Sequence, residues 1–76
     1  MEIKIKDMIE ELCGEYVEDD NQDLLATDVL DSFSMVNLVI MIEEEYGIEI
    51  DAEYVTPDNF RSVKTIADLV NDILGN

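Results

Sequence analysis

The segment "SFSMVNLVIMIEEEY", Ser32 to Tyr46, constrains the fold more than any other stretch, because read as a helix it is apolar on two sides. Met35, Leu38, Val39, Ile42 and Tyr46 recur at helical spacing and form one stripe. Phe33, Val36 and Ile40 form a second stripe on nearly the opposite side, bordered by Asn37, Glu43 and Glu44. A helix in a small bundle needs only one buried stripe. The second either packs beneath a neighbouring loop or is an exposed docking patch beside acids.

The flanking segments place this helix in an all-α fold. Ile5, Met8, Ile9, Leu12, Cys13 and Tyr16 share one helical face, which predicts an amphipathic helix over 3–16, weakened at its end by Gly14. The polar stretch "VEDDNQDLLATDVLD" then reads as a long surface loop, held to the core by Leu24, Leu25, Val29 and Leu30. Gly47 suits the C-terminus of the 32–46 helix. Ile48 and Ile50 alternate with acids, but a lone strand has nothing to pair with, so 48–55 reads as extended loop. Pro57 fits the first turn of a short helix capped by Thr56. Val63, Ile66, Ala67, Val70 and Leu74 mark the core face of a last helix, with Ser62 as its N-cap. The expected fold is a small four-helix bundle, three main helices plus a short third one, with a long first loop. Its 76 residues make one domain, 1–76.

Charge and composition exclude several functions. Twenty acidic residues against four basic ones give a formal net charge of −16. Such a surface repels nucleic acid and anionic membranes and attracts basic protein patches. It also favours a monomer. No apolar run reaches the length of a membrane span, and "MEIKIKDMIEELCGEY" lacks the apolar core of a signal peptide, so a cytoplasmic location is expected. The single cysteine, Cys13, lies on an apolar face and reads as a buried, inert thiol. With no histidine, Ser–His–Asp and Cys–His catalysis and most zinc sites are excluded.

Two chemistries remain to be weighed. Asp19, Asn21 and Asp23 have the opening spacing of an EF-hand loop. Leu24 then stands where that loop needs glycine, and Leu30 where it needs a bidentate glutamate, so no metal site is assigned. Ser32 has no histidine or nearby lysine to deprotonate it, and the carboxylate of Asp31 is too weak a base for a hydroxyl. No catalytic residue is assigned. Ser32 is therefore a helix cap, a role Asp31 could equally fill, or a residue that another protein modifies. The start of a helix suits an attached anionic group.

"LDSFSMVNLVIMIEEEYGIEI" resembles the central segment of the acyl carrier protein family, whose hallmark is Asp-Ser-Leu at the start of the second helix. The triplet here is Asp31-Ser32-Phe33, and "FRSVKTIADLV" resembles the family's approach to its last helix. The resemblance covers essentially the whole chain. It implies a non-catalytic carrier whose Ser32 bears 4'-phosphopantetheine, transferred from coenzyme A by a separate magnesium-dependent phosphopantetheinyl transferase. Acyl groups would ride on the arm as thioesters. Asp31 matches a position implicated in transferase recognition. Phe33, Val36 and Ile40 match apolar positions that partner enzymes touch, and Glu43 and Glu44 match acids that meet basic patches. Asn37 is counted with these recognition positions. The partners implied are the transferase, an acyl- or aminoacyl-loading ligase and downstream synthases. Phe33 departs from the usual leucine, and Ser34 and Asn37 stand where fatty-acid carriers often have acids. These departures weigh against a housekeeping role, while "NFRSVKTIADLV" resembles stand-alone carriers of specialised pathways, so delivery of acyl groups to enzymes of fatty acid or specialised biosynthesis is expected. Asp-Ser-Phe also occurs in D-alanyl carriers, so an aminoacyl carrier is the second reading. A small acidic adaptor without a prosthetic group is the third.

Overall fold

The computed structural model describes residues 1–75. Three helices carry the fold: α1, Glu2–Cys13; α2, Ser32–Tyr46; and α3, Val63–Leu74. Helix α1 packs against both α2 and α3. The short third helical element is a 3-10 turn, Ala52–Tyr54. Among the described residues there is no strand, and Ile48 to Asp51 are irregular, as expected of a segment with no pairing partner.

Each helix ends for a local reason. Gly14 has φ of 78° and donates its N–H to the Glu10 carbonyl at 2.8 Å, so α1 stops three residues before the expected Tyr16. Glycine enters this left-handed region without steric cost. Tyr16 is consequently exposed, and Val17 takes the buried place instead. Gly47 closes α2 in the same way, with φ of 65°. At α3 the Ser62 hydroxyl accepts from Thr65 N–H at 3.2 Å, and the Thr65 hydroxyl accepts from Ser62 N–H at 3.1 Å. This reciprocal box satisfies two amides that the helix leaves free. The buried side of α3 is Val63, Ile66, Ala67, Leu69 and Val70. Leu74, expected in the core, is exposed at the helix's last residue.

Thr56 and Pro57 open a single turn rather than a helix. Phe60 N–H reaches the Thr56 carbonyl at 3.1 Å, and the Thr56 hydroxyl accepts from Asn59 N–H at 3.3 Å. The turn delivers Phe60, the largest fully buried side chain, to the core.

The long loop is fastened rather than loose. Leu24 N–H donates to the Arg61 carbonyl at 2.6 Å, and Lys64 N–H to the Asp20 carbonyl at 2.9 Å, so the loop is stitched to the start of α3. Asp23 accepts from Ala26 N–H at 2.9 Å and Leu25 N–H at 3.1 Å, closing a tight turn. Leu24, Val29 and Leu30 are buried and Leu25 is half-buried, so the expected anchors are the actual ones. Asp28 takes φ of 60°, a left-handed conformation that aspartate tolerates better than most residues. The chain leaves this fastened loop directly into Asp31 and α2.

Candidate functional site

The site begins at the junction of loop and helix. Asp31 is extended, with φ of −122° and ψ of −176°, and its Oδ1 accepts from Ser34 N–H at 2.8 Å. Asp31 is therefore the N-cap. Ser34's amide, first among the causes, holds the Asp31 carboxyl below its ordinary value. A carboxylate committed in this way is a still weaker base for the neighbouring hydroxyl.

Ser32 is the first residue of α2 and is exposed. Among the described residues its hydroxyl has no hydrogen-bond partner. The two roles left open by the sequence thus separate: the aspartate caps the helix, and the serine is free. Its hydroxyl stands at the positive end of the helix dipole, which favours an attached phosphate.

The two stripes of α2 also separate. Leu38, Val39 and Ile42 are buried, and Met35 and Tyr46 pack at the edge of the core. Phe33, Val36 and Ile40 are 77%, 53% and 47% exposed, so the second stripe does not pack beneath the loop. Asn37 is half-buried and Glu44 is exposed. Glu43, expected to meet basic patches of a partner, is half-buried, and its Oε2 accepts from Ile50 N–H at 2.8 Å. That clasp spans a chain reversal at Gly47, and no local pattern announces it. The residues it brings beside α2, Ile50, Ala52 and Val55, were not among the expected site residues.

The electrostatics are one-sided. Helix α2 contains no basic residue. All four basic residues pair internally: Lys4 with Glu45, Lys6 with Asp20 at 2.7 Å, Arg61 with Asp58 at 2.9 Å and Asp23 at 3.5 Å, and Lys64 with Asp68 at 3.6 Å. Cys13 is half-buried, and burial pushes its thiol up, against a lowering hydrogen bond from Ser34. The sequence placed Cys13 among buried residues, and the structure leaves it at the edge of the core. Among the described residues no cluster of acids is arranged to hold a metal ion, and no helix is long and apolar enough to cross a membrane.

This arrangement, an exposed serine opening an acidic helix, is matched by a known family. Residues 4–73 match the family described as "Phosphopantetheine attachment site". The chain belongs to that family, whose domain is the site of covalent 4'-phosphopantetheine attachment and generally acts as a non-catalytic carrier for transferases and synthases. Among solved structures, eleven chains match. One belongs to a crystal structure described as that of an FAD-dependent dehydrogenase. It is 34% identical, with 86% of this chain and 94% of that chain covered and a TM-score of 0.72. Comparison with the curated proteins gave no match. The exposed, unpartnered Ser32 hydroxyl fits the family's prosthetic group, since attachment there displaces no contact described above.

Proposed function

We propose that Ser32 is the attachment residue and that the protein holds acyl groups for partner enzymes of a specialised biosynthetic pathway. The observation that carries this reading is the division of labour at the start of α2: Asp31 caps the helix, leaving the Ser32 hydroxyl exposed. The arm supplies a terminal thiol on which acyl groups ride as thioesters. The chain's own residues supply the rest. Ser32 offers the hydroxyl, while the base that takes its proton comes from the transferase, because Asp31 is engaged and the chain has no histidine. Phe33, Val36 and Ile40 offer an apolar contact next to the arm, with Asn37 beside them. Glu44 and Glu43 offer charge about two turns further along, to basic residues of a partner.

The front of α2 is neutral at Ser34 and Asn37, so an apolar contact leads at the arm and charge contributes at the far end. The likeness to a chain in the structure of an FAD-dependent dehydrogenase supports a flavin enzyme among the partners. Replacing Ser32 by Ala tests the carrier reading against that of an adaptor. Ser32→Ala is expected to abolish loading of any acyl group while leaving the helical spectrum and partner affinity intact. Partner turnover that survives Ser32→Ala unchanged would favour the adaptor.

A further inference from the structure

Among the described residues, Asp28 is the one non-glycine residue with a positive φ, at 60°. Three glycines share this conformation, and each ends a helix. Glycine enters this region freely, whereas a residue with a side chain is strained there. Aspartate is tolerated best when its carboxylate bonds to nearby backbone. That compensation is missing here. Asp28 is exposed, and among the described residues its carboxylate has neither a hydrogen bond nor an ion pair. The strain therefore serves no local contact.

The surroundings hold Asp28 beside the attachment site. Its N–H donates to the Leu25 carbonyl at 3.2 Å, and Leu30 N–H donates to the Leu24 carbonyl at 3.0 Å. Val29 and Leu30, which follow it, are buried in the core. The carboxylate thus stands on a closed hoop of loop, and its Cα lies no more than about 14 Å from that of Ser32 by chain length alone. Asp31 is occupied as the cap of α2, and the next acid along the helix is Glu43, about 16 Å further down the axis. Asp28 is the uncommitted carboxylate nearest to Ser32 along the chain.

We propose that Asp28 is a specificity-determining residue for modification of Ser32, presenting its charge to a lysine or arginine of the phosphopantetheinyl transferase. It supplies, from the loop side, the anionic contact that the neutral front of α2 lacks at Ser34 and Asn37. The inference rests on Ser32 as the attachment residue. An ion pair at the rim of the docked complex acts on encounter and affinity rather than on the chemical step.

The test is steady-state modification of the unmodified protein by coenzyme A, magnesium and a broad-specificity phosphopantetheinyl transferase, at low and high salt. Asp28→Asn keeps the tolerance for the left-handed region and removes only the charge. Its KM should rise about three- to fivefold at low salt with kcat unchanged, the size of one exposed ion pair. Salt at about 1 M screens charges beyond about 3 Å, so parent and variant should converge there. Asp28→Gly relieves the strain and also removes the charge, and it should match Asp28→Asn. Asp72→Asn removes the same net charge in the last turn of α3, at the end away from the stitched loop, and should behave as the parent. Equal KM for parent and Asp28→Asn at low salt would overturn the proposal. So would a defect that persists undiminished at high salt, or an equal defect in Asp72→Asn, which would mean that only total charge is read. Ser32 is judged by a different variant: modification of Ser32→Ala would overturn the attachment residue itself.

Discussion

Asp31 and Ser32 are adjacent, polar and equally plausible as caps, and the structure gives them different work. Asp31→Ala should lower the melting temperature by about 4–8 °C, the usual result of losing one cap in a domain this small, whereas Asp31→Asn should leave it nearly unchanged. The two variants also separate capping from recognition. If Asp31→Asn folds normally but is modified slowly, the charge itself is read by the transferase. The carboxyl is held below its ordinary value by Ser34's amide, so the folded state favours its ionised form. Its contribution is complete above the ordinary carboxylate pKa and is lost as pH falls through the depressed value. Asp23, held down chiefly by the Ala26 amide, behaves in the same direction. Acid titration of stability should therefore be shallower in Asp31→Asn than in the parent below about pH 4.

The helices were legible because their signals are local. The periodicities of α1, α2 and α3, the stop at Gly47 and the cap at Ser62 all lie within a few residues of what they specify. Tyr16 and Leu74 went astray because periodicity continues past a helix end, whereas burial needs another element opposite. The second stripe of α2 was visible in the sequence, but its exposure depended on where the loop goes. The loop is pinned to Arg61 and Lys64, and that contact is remote in sequence. The Glu43–Ile50 clasp was invisible for the same reason. Two substitutions probe these elements. At Gly47 an added Cβ meets nothing within 4 Å, so the penalty is conformational alone. Gly47→Ala should cost about 1 kcal/mol in denaturant unfolding. Phe60→Ala should cost about 3–5 kcal/mol, since it empties a fully buried position in the core. That is a large share of the roughly 4–11 kcal/mol expected for a chain of this length, so the variant should be largely unfolded at physiological temperature.

Taken whole, the molecule carries a net charge of −16 with every basic side chain already paired. Apart from Glu2, 3.8 Å from the N-terminal amine, the remaining acids have no internal counter-charge among the described residues and repel one another across a body only 29 × 22 × 19 Å. Salt or magnesium should raise the melting temperature, and equal values in dilute buffer and at moderate salt would contradict this reading. On the proposed reading, the same field attracts basic partners, and the exposed apolar stripe beside Ser32 is where they settle. The fold holds because the core is continuous from α1 through the loop to α3.

Intact mass is the measurement to make first, after incubating the unmodified protein with coenzyme A, magnesium and a broad-specificity phosphopantetheinyl transferase. Ser32→Ala and Ser34→Ala should be run alongside. The parent and Ser34→Ala should each gain one phosphopantetheine, and Ser32→Ala should gain none. Modification of Ser32→Ala, or no gain on folded parent in the presence of an active transferase, would contradict the assignment of Ser32.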